Sequence, residues 1–92
     1  MLVFVWDPAK ARENEQKHGV TFVEASEVFD DDHSSSVRDP DHSVGEARYL
    51  LFGISKQGKH LVVAYTETER TERIRLVSAR HTTTRERRAY EA

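Results

Sequence analysis

Ninety-two residues, 37% hydrophobic and 33% charged, suffice for a single domain over residues 1–92 and leave no room for a second core. With no cysteine, the chain has no disulfides, no thiolate metal ligands and no thiol nucleophile. The net charge of −2 hides an asymmetry: residues 1–45 carry four Lys/Arg against ten Asp/Glu, and residues 46–92 carry ten against six. A basic C-terminal half suits a polyanionic partner, although two charged faces that neutralise each other would give the same balance.

The opening residues 2–6 are an apolar run that reads as an edge or second strand. They are too short and too uncharged for a signal peptide, and no apolar stretch is long enough to span a membrane. A cytoplasmic protein without a membrane partner is expected. Asp7-Pro8 then starts a helix, with Asp7 as N-cap and Pro8 at the first helical position. Gly19 ends it after Lys17-His18, two residues that suit the negative end of the helix dipole. Thr21-Phe22-Val23-Glu24 is a capping box for a second helix to about residue 29, with Phe22, Ala25, Val28 and Phe29 on one apolar stripe.

Residues 30–43 read as the longest loop, with room for a brief strand at 36–38. Strands are expected over 46–55, 60–67 and 72–79. Lys56-Gln57-Gly58-Lys59 forms the first hairpin turn, with Gly58 free to take φ > 0, and residues 68–71 make the next connection. Apolar Leu61, Val63 and Tyr65 predict burial on one face of the middle strand and partial cover on the other. Thr82 to Thr84 offer caps for a last helix over residues 85–90. The predicted order is β-α-α-β-β-β-α, an α+β fold with helices packed on one face of an antiparallel sheet.

Several chemistries lack their parts. His18, His33, His42, His60 and His81 show no zincin spacing, and Asp30-Asp31-Asp32-His33 lacks the glycine and terminal Glu of a calcium loop. Ser78 has no nucleophile elbow, and there is no Gly-rich phosphate loop. No metal or nucleotide cofactor is expected. What remains is a set of arginines, histidine, carboxylates and tyrosine. Cleaving RNA by attack of the adjacent 2′-OH needs a proton acceptor, positive charge on the phosphorane and a proton for the leaving 5′-oxygen. Arg48, Arg73 and Arg80 lie on strands and offer planar, permanently charged forks. Glu46, His60 and Glu86 are candidate acids or bases, and Tyr90 can stack on a base or donate a proton. The same spacings also allow surface ion pairs, such as Arg80 with Glu86, with Tyr90 packing the last helix.

The run Phe4-x-Trp6-Asp7-x-x-Lys10-x-x-x-Asn14-x-x-Lys17-His18-Gly19-Val20-x-Phe22-x-x-Ala25-x-x-Val28-Phe29 resembles the start of BrnT-type toxins. Arg48 with Gly53, Gly58-Lys59-His60-Leu61, Tyr65-Thr66, Arg73-Ile74, Ser78-Ala79-Arg80 and Glu86-Arg87-Arg88-x-Tyr90 continue the likeness over nearly the whole chain. The resemblance implies a RelE-like fold and a ribonuclease toxin of a type II toxin–antitoxin system that inhibits translation. It also implies a BrnA-like ribbon-helix-helix antitoxin, contact with operator DNA only through that antitoxin, and homo-oligomers or a toxin–antitoxin heterotetramer as assemblies. Carried over by position, the site residues are Arg48, Arg73, Arg80, Glu86 and Tyr90. Family members often have Glu directly before the strand arginine. Here Ala47 separates Glu46 from Arg48, which puts both on one strand face. The rival expectation is a catalytically inactive binding module that acts as co-repressor with a DNA-binding antitoxin.

Overall fold

The helix signals act where the sequence places them. The structure is a computed structural model and describes residues 2–39, 41, 47–68 and 72–91, without the side chains of Thr68, Tyr90 and Glu91. Strand β1 (Val3–Val5) leads into α1 (Pro8–His18), whose Ala9 N–H donates to Asp7 Oδ1 at 2.9 Å. Gly19 closes α1 at φ 69°, a left-handed conformation that glycine adopts without a side-chain clash. Thr21 caps α2 (Phe22–Glu27), its hydroxyl accepting the Glu24 N–H at 3.1 Å, and one turn of 3₁₀ helix (Val28–Asp30) extends it.

Phe22, Ala25 and Val28 are the buried stripe of this segment, packed on Leu51, Leu61, Val63, Ile74, Leu76 and Ala79 of the sheet. Fully burying each large apolar side chain stabilises by about 1.5–3 kcal/mol. Glu24 leaves the expected capping box. Its carboxylate is buried and accepts from Ser55 Oγ and Lys59 Nζ, both at 3.1 Å, tying α2 to the first hairpin turn. Desolvating a carboxylate is tolerable when hydrogen bonds and a cation replace water.

The sheet has five strands in the order β1-β5-β4-β3-β2, with β2 (Ser35–Arg38), β3 (Arg48–Ile54), β4 (His60–Thr68) and β5 (Arg73–His81) antiparallel in sequence. Three expectations are corrected here. The stretch read as a loop contains β2, paired with β3 from Ser35↔Phe52 to Arg38↔Tyr49. Its weak pattern follows from its place at the sheet edge, where every residue is exposed. Strand β1 takes the opposite edge, parallel to β5, so the sheet is mixed and the order is β-α-α-β-β-β-β-α. Lastly, α3 (Thr84–Glu91) lies on the face opposite α1 and α2, where Glu86 and Ala89 line a cleft with Ser35, Val37 and Phe52. Leu61 through Thr66 are all buried, on both faces of β4, the central strand of the sheet.

Gly53 marks a close approach of the 3₁₀ turn to β3. A Cβ there would sit 2.7 Å from a Val28 methyl and 3.0 Å from Asp31 Oδ2, and that oxygen also accepts the Ile54 N–H at 2.9 Å. Gly53→Ala must therefore push the 3₁₀ turn off β3. We expect a loss of about 1–3 kcal/mol in urea denaturation; an unchanged midpoint would show that the turn yields without cost.

Candidate active site

Arginine faces water on the sheet side that the apolar stripe leaves uncovered. Cross-strand partners share a face, so the core face carries the rows Leu51–Val63–Ala79 and Tyr49–Tyr65–Leu76. The opposite face carries Phe52–Val62–Arg80, Leu50–Ala64–Ser78 and Arg48–Thr66–Arg75, with His60 beside Ile54 at one end and Arg73 at the other.

In a regular strand, Arg73 and Arg80, an odd number of residues apart, would point to opposite faces. A β-bulge brings them together. Tyr65 pairs with Leu76 and Ala64 with Ser78, so Val77 is an extra residue in β5 that resets the alternation.

Arg80 is held by α3. Its Nη1 donates to Glu86 Oε1 at 2.8 Å and to the His81 carbonyl at 3.2 Å, and Nη2 donates to Glu86 Oε2 at 3.0 Å. Glu86 is in turn fixed by its own helix start. Its Oε1 accepts the Thr83 N–H at 2.9 Å while Thr83 Oγ1 accepts the Glu86 N–H at 3.1 Å, a reciprocal capping box. The Arg80 hydrogen bonds, with a smaller part from Thr83, lower the Glu86 pKa to about 2, and Glu86 in turn raises that of Arg80. The folded-state value lies below the ordinary one. The pair's contribution to stability is therefore complete above about pH 4.5 and disappears as pH falls towards 2.

With Glu86 ionised and its oxygens occupied, little basicity remains for proton abstraction near neutrality. It suits orienting the guanidinium. Among the described residues, three of Arg80's five donors are used, which leaves Nε–H and one Nη2–H for a ligand. The side chain is 40% exposed, so those donors can meet one.

His60 stands two residues along β4 from Val62, the partner of Arg80, about 7 Å away on the same face. The His60 carbonyl accepts the Thr82 N–H at 3.0 Å, which ties β4 to the start of α3. His60, Lys59, Thr83 and Arg87 line a cleft of about 300 Å³ beside this junction. Lys59 and Arg87 were not among the predicted site residues. Arg48 and Arg73 lie at the far end of the face: Thr66, the partner of Arg48, is four residues from Val62, about 13 Å. The predicted set thus splits into Arg80, Glu86 and His60 at one end and Arg48 with Arg73 at the other. Arg75, between Arg73 and the bulge, was also unpredicted although its period-2 spacing from Arg73 signals a shared face. Glu46 and the Tyr90 side chain lie outside the described residues.

The family described as "Ribonuclease toxin, BrnT, of type II toxin-antitoxin system" matches residues 6–86, from the residue just after β1 through the capping box of α3. The chain belongs to the BrnT family. A crystal structure of the Brucella abortus ribonuclease toxin BrnT, at 1.1 Å resolution, superposes with a TM-score of 0.65 over 91% of this chain and 100% of that one. At 19% identity that likeness speaks for the shared fold alone. A search of curated protein sequences finds no match. BrnT proteins are ribonuclease toxins of type II toxin–antitoxin systems, so RNA as target and an antitoxin as partner come with the family. The matched region includes Arg48, His60, Arg73, Arg80 and Glu86 and stops short of Tyr90. No helix among the described residues is long and apolar enough to cross a membrane.

Proposed function

We propose that this BrnT-family chain is a metal-independent endoribonuclease that inhibits translation by cutting RNA in the cytoplasm. The observation that carries the reading is the Arg80 guanidinium, fixed by two parallel hydrogen bonds to Glu86 on an exposed sheet face with His60 on the adjacent row. Attack by the 2′-oxygen on the neighbouring phosphorus forms a phosphorane. His60 accepts the 2′-OH proton, the P–O5′ bond breaks, and the 5′-oxygen leaves with a proton from solvent or from Tyr90. The products are a 2′,3′-cyclic phosphate and a 5′-hydroxyl. Arg80 neutralises the charge that develops on the phosphoryl oxygens, while Arg48 and Arg73 hold the flanking backbone. Positive charge from arginine takes the place of a metal ion in this scheme. We assign as antitoxin a BrnA-like ribbon-helix-helix protein that covers the basic face, forms a heterotetramer with the toxin and alone contacts operator DNA.

One observation favours a second reading, a catalytically inactive co-repressor. Two of Arg80's five donors are already spent on Glu86, as in a structural ion pair. Inducing the chain alone and following growth and bulk RNA separates the two. Growth arrest with RNA fragments ending in cyclic phosphate, undiminished by EDTA in vitro, is the expected result; intact RNA and normal growth from a well-folded chain would favour the co-repressor. Cleavage that stops with EDTA would refute metal independence.

A further inference from the structure

One buried donor on the arginine face has no use in the chemistry at Arg80. Thr66 is 7% exposed, and its hydroxyl has no hydrogen-bond partner among the described residues. Native proteins seldom bury an unpaired hydroxyl, because the water it gives up is not replaced. Its neighbours are informative. Strand register seats Thr66 between half-buried Arg48 and exposed Arg75, all three on the face opposite the core. Arg73 follows on the same face, and neither Arg73 nor Arg75 has an ion-pair partner among the described residues. The row ends at Val5, and there Arg75, Lys10 and Trp6 border a cleft of about 340 Å³.

Arg73 and Arg75, two residues apart on one strand face, repel one another, and the unpaired Thr66 hydroxyl beside Arg75 is a further cost. A single oxyanion relieves both, since its oxygens accept from the hydroxyl and from the guanidinium forks together. We propose that Arg48, Thr66 and Arg75 form a subsite for an RNA backbone phosphate other than the one that is cut, with the cleft beside Trp6 and Lys10 receiving the attached nucleoside. The separation of about 13 Å from the Arg80 row is why this phosphate cannot be the scissile one. The RNA identity of the ligand rests on the function proposed above; the anion site rests on the row itself.

The test uses a fully 2′-O-methylated RNA oligonucleotide, which has no attacking hydroxyl, with sodium pyrophosphate as a second probe. Thr66→Val keeps the shape and removes the donor. We expect it to bind the oligonucleotide about tenfold more weakly, as loss of a charge-assisted hydrogen bond predicts, while its Tm in the absence of ligand equals or exceeds that of wild type. Arg75→Ala should weaken binding and reduce the slope of log K against log salt by about 0.7, the value for one contact with a single strand. Pyrophosphate should raise the Tm of wild type and leave that of Thr66→Val unmoved. If Thr66→Val lowers the Tm and binds the oligonucleotide fully, the hydroxyl is structural and the subsite is refuted. An unchanged salt slope in Arg75→Ala would refute it equally. If wild type ignores the oligonucleotide but pyrophosphate still distinguishes Thr66→Val, the anion site stands and its RNA ligand falls.

Discussion

Arg80→Ala should reduce RNA cleavage by about 10²–10³-fold, the usual cost of removing one preorganised donor from a developing oxyanion, and should do so in a folded protein. The loss falls on catalysis because Arg80 is 40% exposed on the sheet face, away from the core formed by Leu61, Val63 and Ala79. A partly exposed ion pair contributes roughly 0.2–1 kcal/mol to stability, and Thr83 still caps α3 after the substitution. Arg80→Lys separates charge from geometry. It keeps a cation but loses the planar fork that meets Glu86 and phosphate together, so activity should fall between wild type and alanine. Glu86→Gln then tests the role given to the carboxylate. A group with a pKa of about 2 does not titrate between pH 5 and 8. If Glu86 only orients Arg80, the glutamine variant should lose activity moderately and keep the wild-type pH profile in that range. Loss as deep as in Arg80→Ala, with a changed profile, would make Glu86 the base and overturn our assignment. Full cleavage by Arg80→Ala would remove Arg80 from the site altogether.

The parts of this fold that were legible in the sequence are those fixed within a few residues of chain. Asp7, Pro8, Gly19, Thr21 and Gly58 act where local backbone chemistry demands, and the Phe22, Ala25 and Val28 stripe is buried as its helical spacing requires. The parts that were not legible depend on partners distant in sequence. Strand β2 has only Val37 as an apolar residue and owes its existence to β3. Parallel pairing of β1 with β5 joins residues some seventy positions apart. Glu24 looked like half of a capping box, because nothing local reveals Ser55 and Lys59 waiting across α2. The site divides the same way. Each arginine could be nominated from residue type and strand, and Glu86 as the partner of Arg80 could be guessed from proximity in the chain. That Arg73, Arg75 and Arg80 share one face could not, since simple alternation puts Arg80 on the other side and only the Val77 bulge restores it. The same bulge makes the face testable as a unit: a chain lacking it would turn Arg80 toward α1 and α2.

Asn14→Ala should be the most destabilising single substitution among the polar residues, by roughly 3–4 kcal/mol, because one carboxamide closes the sheet edge that β1 leaves open. Strand β1 pairs with β5 only at Arg73, Ile74 and Arg75. Farther along, the outward N–H and C=O of Ala79 have no strand to meet, and water is excluded there by α1. Asn14 takes the strand's place. Its Oδ1 accepts the Ala79 N–H at 3.0 Å, and its Nδ2 donates to the carbonyls of Ala79 at 2.8 Å and Val20 at 3.0 Å. The residue is 7% exposed on a helix whose other side chains are mostly polar and exposed, with Ala11 packed on the core, so α1 has few apolar contacts to hold it in place. Alanine would leave three backbone groups unpaired, each costing about 1–3 kcal/mol when buried, with relaxation and entering water reducing the sum. Against a total stability of about 5–15 kcal/mol, that brings a domain of this size close to unfolding at physiological temperature. Asn14→Asp is the sharper control. It keeps the acceptor for the Ala79 N–H but points a carboxylate at two carbonyl oxygens, so it should be at least as damaging as alanine. Lys17→Ala, an exposed change on the same helix, should stay within about 0.5 kcal/mol. Urea midpoints at constant m-value measure all three. A loss below about 1 kcal/mol for Asn14→Ala would mean that α1 does not depend on this amide for its hold on β5.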